Sequence, residues 1–232
     1  MRIDKYLSQS TGFSRKDIKR MMHKDRVEVN GKALRDSSYK LSEDDVVTLD
    51  DREISAPKPR YFMLYKPQGY VCSSDDGTHP TINGLLIDEV RPEELHLAGR
   101  LDVDTTGLVL ITDDGQWSHK ITSPRHQCSK RYHVVTADPI PEEAIDTFAT
   151  GILLQGEKEP TKPAALELLA SHEAYLTLTE GRYHQVKRMF AAIGNRVVEL
   201  HRDRIGSIDL DEELLPGEYR PLTQEEIERV VA

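Results

Sequence analysis

Four consecutive apolar residues, Leu108-Val109-Leu110-Ile111, follow directly on a polar stretch that runs from Gly99 to Thr106 and ends in Gly107. A run this short and this uniformly apolar predicts a strand buried in a sheet, and Gly107 supplies the backbone freedom to enter it from a turn. The polar stretch holds two carboxylates, Asp102 and Asp104. A loop fixed in place by core structure is a common way to present a reactive group. A plain polar turn before a strand has the same local pattern, so the meaning of the segment depends on what accompanies it.

Further strands are expected over residues 61–65, 132–136, 165–169, 174–178 and 197–200, and helices over 141–150 and 183–193. The first of these strands stops at Lys66-Pro67-Gln68-Gly69-Tyr70, where proline and glycine enforce a turn. Strands this far apart, with few strand–helix–strand alternations, predict a mixed α+β domain rather than a doubly wound sheet. Residues 1–55 read as a separate small unit. Ile3, Tyr6 and Leu7 have helical spacing, and Ser14 with Asp17 resembles a capping box opening a second helix through about Lys24. The alternating segment Arg26-Val27-Glu28-Val29 turns at Asn30-Gly31, a hairpin signal, and residues 46–49 supply another strand. Pro57 and Pro59 stiffen the stretch between the two parts. The expected division is therefore a domain over 1–55, a linker over 56–60 and a second domain over 61–232.

With 38% hydrophobic residues the chain has material for a core, which argues against disorder. No apolar run approaches the roughly 20 residues that cross a bilayer, and Met1-Arg2-Ile3-Asp4-Lys5 lacks the apolar stretch of a secretory signal. Cys72 and Cys128 are the only cysteines, too few for a disulfide scaffold or a zinc cluster. The expectation is a soluble, cytoplasmic protein with no membrane partner. A net charge of −9 argues against a nucleic-acid partner only until its distribution is read. Residues 1–35 carry ten Lys/Arg against four acids, whereas residues 207–232 carry two against eight. On the second helix Lys16, Arg20 and Lys24 recur at four-residue spacing, with Arg15 and Lys19 beside them, giving a cationic face. A solvated basic surface has the same pattern, but polyanion binding is open to this part of the chain.

Taken whole, Gly99-Arg100-Leu101-Asp102-Val103-Asp104-Thr105-Thr106-Gly107-Leu108 closely resembles the catalytic loop of the pseudouridine synthases, in particular the RsuA-like family acting on ribosomal RNA. Arg100, Leu101 and Asp102 fall on the family's Arg-Leu-Asp core. Three further segments match in the same order: Lys130-Arg131-Tyr132, the stretch Gly181-Arg182-Tyr183-His184-Gln185-Val186-Lys187-Arg188, and the residues from Val197 to Gly206. The helix, Ser-Arg-Lys helix and hairpin of residues 1–55 resemble the αL RNA-binding domain, a small module found in a ribosomal protein and several RNA-modifying enzymes.

The resemblance implies an α+β fold, with a small αL-type RNA-binding domain followed by a mixed, mainly antiparallel-sheet catalytic domain. It implies isomerisation of a uridine to pseudouridine in small-subunit (16S) ribosomal RNA. That reaction breaks the N-glycosidic bond, turns the uracil while it is held, and joins C5 to the sugar C1′. No redox change, phosphate donor or metal is required, so neither a cofactor nor a metal is expected. Asp102 corresponds to the essential carboxylate, acting as nucleophile or as a base on a sugar proton, and both roles stay open. Asp104 competes on spacing alone, but the family motif varies at its position and not at that of Asp102. Tyr132 corresponds to the aromatic platform on which the base stacks. Lys187 corresponds to the cation paired with the carboxylate, with Arg188 the competing assignment. Leu200 corresponds to the apolar residue under the tyrosine and the base.

Among RNA contacts, Arg100 corresponds to a basic residue entering the space that a flipped nucleotide leaves. Arg15, Lys16, Lys19, Arg20 and Arg26 correspond to phosphate contacts, which position RNA without reading its sequence. Arg182 is assigned to RNA as well, and His184 reads as structural or RNA-contacting. The implied partner is ribosomal RNA or a small-subunit assembly intermediate, bound by a monomer. A large-subunit ribosomal RNA synthase of the same family shares every motif and is the nearest alternative. A non-catalytic RNA-binding protein of ribosome assembly is another, although a binding module needs none of Asp102, Tyr132 and Lys187. Other chemistries lack their parts, because His126-Gln127-Cys128 has no zinc spacing and no glycine-rich nucleotide loop occurs.

Overall fold

The computed structural model describes residues 1–73, 76–86, 88–89 and 92–230. The chain divides into two compact units, Met1–Pro59 with Asp88–Pro92, and Arg60–Ile87 with Glu93–Ala232.

In the small unit, helices α1 (Ile3–Thr11) and α2 (Arg15–His23) precede strands β1 (Val27–Val29), β2 (Lys32–Ala33), β3 (Val47–Leu49) and β4 (Arg52–Glu53). The strands form an antiparallel sheet in the order β2-β1-β3-β4. The Ser14 side chain accepts the Asp17 N–H and starts α2, as a cap does for an otherwise orphaned donor. Asn30 and Gly31, at φ 52° and 72°, make the tight turn of the β1–β2 hairpin. Ile3 and Leu7 of α1, and Ile18 and Met22 of α2, pack on Val27, Val29, Val47 and Leu49. Burying Ile18 and Met22 turns the opposite face of α2 outward, so Arg15, Lys16, Lys19 and Arg20 are all exposed.

The large unit is built on a mixed sheet. Its strands are β5 (Tyr61–Lys66), β6 (His96–Leu97), β7 (Thr106–Thr112), β8 (Lys130–Thr136), β9 (Ala165–Ala170), β10 (Glu173–Leu178), β11 (Val197–Ile205), β12 (Ile208–Asp209) and β13 (Tyr219–Pro221). The order is β13-β5-β7-β11-β8-β10-β9, with β6 on β7 and β12 on β11. All pairings are antiparallel except β7 with β11. Helices α3 (Gly115–Thr122), α4 (Glu143–Thr150), α5 (Gln185–Ala192) and α6 (Gln224–Arg229) complete it.

The apolar run at 108–111 lies in β7 and is buried completely. Alternation explains why all four residues must be apolar. Leu108 and Leu110 join Met63, Trp117, Ile121 and Ile205 in one cluster, while Val109 and Ile111 join Phe62, Leu64, Ile82 and Leu86 in another. A third cluster gathers Val134, Leu176 and Leu200 from the sheet against Phe148 of α4 and Val186, Met189 and Phe190 of α5.

Several elements depart from the sequence expectation. Strand β11 continues to Ile205 through His201-Arg202-Asp203-Arg204, because its charged residues find partners: Arg202 is buried and Asp203 pairs with Arg131 of β8 at 2.6 Å. Helices α3 and α6 were not expected. They are set by caps rather than by apolar periodicity: Asp114 accepts from the N–H groups of Gln116 and Trp117, and Thr223 forms a capping box with Glu226. Among the described residues no helix is long and apolar enough to cross a membrane.

Candidate active site

The segment entering β7 is held from three sides. Gly107, at φ 108°, pairs with Arg202 across the parallel β7–β11 junction, and a Cβ there would lie 2.2 Å from the Arg202 carbonyl oxygen. Only glycine permits that approach. On the second side, the Leu101 N–H donates to the Cys72 thiol sulfur at 3.3 Å, and the Leu101 side chain is buried. On the third, Lys66 at the end of β5 is fully buried and donates to the carbonyls of Thr105 (2.8 Å), Pro67 (3.1 Å) and Val103 (3.4 Å). Burial pushes its ammonium below the ordinary lysine pKa. The Gly69 N–H adds a 2.8 Å bond to the Val103 carbonyl.

Within this clasp the chain is a turn, closed by the Thr105 N–H on the Asp102 carbonyl at 3.1 Å. Both carboxylates of the turn converge on one cation. Lys187, in the first turn of α5, lies 3.1 Å from Asp102 Oδ2 and 2.6 Å from Asp104 Oδ1. Burial disfavours the charge on Lys187, but its bonds to Asp104 and Asp102 outweigh that cost and raise its pKa. Burial likewise opposes ionisation of Asp104, and the Lys187 bond and charge more than offset it, leaving the carboxyl below its usual value.

His184 stands immediately before α5 in the left-handed conformation, φ 48° and ψ 36°. Its Nε2 lies 3.4 Å from Asp102 Oδ1, so Asp102 sits between an imidazole and an ammonium. Tyr132 of β8 is half-buried and faces Arg202 in register, while Val134 faces Leu200. That register puts Tyr132 and Leu200 on one face of the sheet as diagonal neighbours. Arg202 donates to the Leu108 carbonyl at 2.9 Å and reaches the Tyr132 hydroxyl at 3.5 Å. Its Nη2 finds no partner among the described residues.

Arg100, Asp102, Tyr132, Arg182, Lys187 and Leu200 all line one pocket. The groove continues past Arg202 and Lys130. Arg188 points elsewhere, bonding Glu157 (3.0 Å) and the carbonyls of Tyr183 and Gln155. Arg182, expected from the sequence to contact RNA, is engaged within the fold. It spans Glu180, the Glu159 carbonyl and the Pro160 carbonyl, because that pocket wall brings three acceptors within reach. In the small unit Arg26 is likewise engaged, forking onto Asp50 at 2.5 and 2.7 Å, and Arg20 pairs with Asp17 at 3.2 Å.

The family model for RNA pseudouridylate synthases matches residues 60–192, and that for the S4 domain matches residues 1–47. The chain belongs to the RNA pseudouridylate synthase family. It is 55% identical to the ribosomal small subunit pseudouridine synthase A of Salmonella typhimurium, over 99% of this chain and all of that protein. The protein of that name from Escherichia coli is also 55% identical, and the one from Haemophilus influenzae is 53% identical, each over the whole of both chains. A solved pseudouridylate synthase structure superposes with a TM-score of 0.72 at 53% identity and covers both chains fully. The expected α+β class and the resemblance to the RsuA-like synthases both stand.

Sequence reasoning passed over Lys66, Cys72 and Arg202, and placed His184 outside the chemistry. A lone lysine closing an apolar run before Pro67 is the one signal that pointed to Lys66.

Proposed function

We propose that this synthase isomerises a specific uridine in small-subunit (16S) ribosomal RNA, with Asp102 as the essential carboxylate. The observation that carries the reading is the Asp102 carboxylate, held between Lys187 and His184 in the pocket that Tyr132 and Leu200 also line. The small-subunit substrate is supported by relatives 53–55% identical that bear that name.

Asp102 acts at the junction of sugar and base, as nucleophile or as base. Lys187 supplies its countercharge through both steps. The freed uracil stays against the Tyr132 ring and Leu200 while it turns, since an aromatic face holds a base without fixing its in-plane orientation. Arg100 lies on the same loop, two residues from Asp102, where it can fill the gap a flipped nucleotide leaves. Residues 1–55 serve as the RNA-binding domain, 56–60 as linker and 61–232 as catalytic domain. Arg15, Lys16 and Lys19 are the phosphate contacts with no carboxylate partner to displace among the described residues, and Arg20 and Arg26 contribute once released from Asp17 and Asp50. The protein works as a cytoplasmic monomer on RNA or a partly assembled subunit.

The test is incubation with naked 16S RNA, small subunits and partly assembled particles, followed by mapping of pseudouridine. Conversion of one uridine, lost in Asp102→Asn, is the expected result. Conversion confined to large-subunit RNA would overturn the substrate, and no conversion of any RNA would overturn the activity.

A further inference from the structure

Eight of the nine tyrosines are at least half-buried, and Tyr183 alone is open, with 76% of its surface exposed. Its ring is nonetheless in contact with a neighbour. It stacks on the His184 imidazole, ring centres 3.7 Å apart and planes 21° from parallel. The backbone beneath is fixed as well. The Tyr183 carbonyl accepts from Arg188 at 3.1 Å, and Arg188 is anchored on Glu157 and the Gln155 carbonyl. On the preceding residue, the Arg182 N–H donates to the Gln185 side chain at 2.8 Å.

The stack leads straight to the chemistry. A turn at φ 48° favours glycine, asparagine, aspartate or histidine, and here it carries a histidine. That histidine presents Nε2 to Asp102 at 3.4 Å and a ring face to Tyr183. Tyr183 lines the same groove as Asp102, Tyr132 and Arg100. A strand with one nucleotide inserted between Asp102 and Tyr132 therefore has its neighbouring nucleotide at this rim.

We propose that Tyr183, backed by His184, is a second stacking platform that takes an unpaired nucleobase adjacent to the target uridine. The inference rests on the reading that an RNA strand enters this groove. A flat, amphipathic ring held face-on and left in water suits a base, because every base offers a π-face and stacking tolerates sequence. The platform selects for a flanking nucleotide that is already unpaired, so it recognises local RNA structure rather than base identity.

The test uses the full-length protein and overlapping 16S RNA fragments, taking the best-bound fragment and placing 2-aminopurine on either side of its uridine. Wild type should quench the fluorophore on one side. Tyr183→Ala should lose that quenching and weaken affinity roughly 5- to 150-fold, which is ~1–3 kcal/mol at 1.4 kcal/mol per tenfold. Tyr183→Phe and Tyr183→Trp should retain both. An abasic nucleotide at the quenched position should erase the difference between wild type and Tyr183→Ala. Unchanged affinity in Tyr183→Ala, or an equal loss on intact and abasic RNA, would overturn the platform. Conversion of the unlabelled fragment by wild type reads the proposed activity separately, and the binding comparison stands whatever that result.

Discussion

Replacing Lys187 by methionine removes the ammonium that both loop carboxylates share. At 3.1 and 2.6 Å each attraction is about 5–6 kcal/mol for an effective dielectric near 20. Most of that is lost to screening and desolvation, since Lys187 and Asp102 keep about a quarter of their side-chain surface in solvent and Asp104 more than half. The net contribution to stability is about 1–2 kcal/mol, or a fall in Tm of about 2–8 °C for a chain of this size. Catalysis should suffer more, because Asp102 and Asp104 are left facing each other without a cation. A drop of about 100-fold in single-turnover rate corresponds to ~2.7 kcal/mol.

The stability difference should also depend on pH. Asp104 has a lowered pKa when folded, so its share is complete above the usual value near 4 and disappears as pH falls through the depressed one. Lys187 has a raised pKa, so its share is complete below about 10.4 and disappears as pH rises through the raised one. The Tm gap between wild type and Lys187→Met should therefore be flat near neutrality and close at both extremes. Lys187→Arg should behave close to wild type. Thermal melts from acid to alkali, with single-turnover rates at saturating enzyme, check both parts. An unchanged rate, or a gap that persists in strong acid and alkali, refutes the shared-cation reasoning.

Asp102→Asn should abolish turnover and leave RNA affinity unchanged, whereas Asp104→Asn should keep most of its turnover; the opposite pair of rates would move the essential role to Asp104. Lys16→Gln and Lys19→Gln should each flatten the salt dependence of RNA binding by about 0.7–0.9 in log–log slope, read from filter-binding titrations. Arg26→Gln should change that slope less, because its guanidinium already forks onto Asp50. Gly107→Ala should destabilise the fold by about 2–4 kcal/mol in urea unfolding, since its Cβ would meet the β11 backbone.

The apolar run at 108–111 was legible because a strand buried on both faces leaves no alternation to misread, and Asn30-Gly31 because so few turns accept two positive φ angles. The grouping of Arg100, Asp102, Tyr132, Lys187 and Leu200 around one pocket was legible through family resemblance and not through spacing. Asp102 and Lys187 are 85 residues apart, and no local rule joins them. Lys66 stayed hidden because a lysine at a strand end looks the same whether it faces water or donates to three carbonyls. Arg182 shows the same limit: its charge is legible in the sequence, while the Glu159 and Pro160 carbonyls that it meets are not. The proximity of His184 to Asp102 depends on a backbone conformation that its residue type does not announce.

The parallel pairing of β7 with β11 has a consequence for how the protein is made. Thr106 pairs with His201, so the centre of the sheet closes only after almost the whole chain is available. Such distant pairings fold late, because a long loop must be ordered before the contact rewards it. Among the described residues, the buried core of the small unit is, by contrast, made by residues from Ile3 to Leu49, with Ile54 packed against it. On a translating ribosome the basic helix is thus finished long before Asp102 meets Lys187. A nascent chain that has not yet reached β11 therefore already carries its basic helix but not the sheet centre that holds the Asp102 loop.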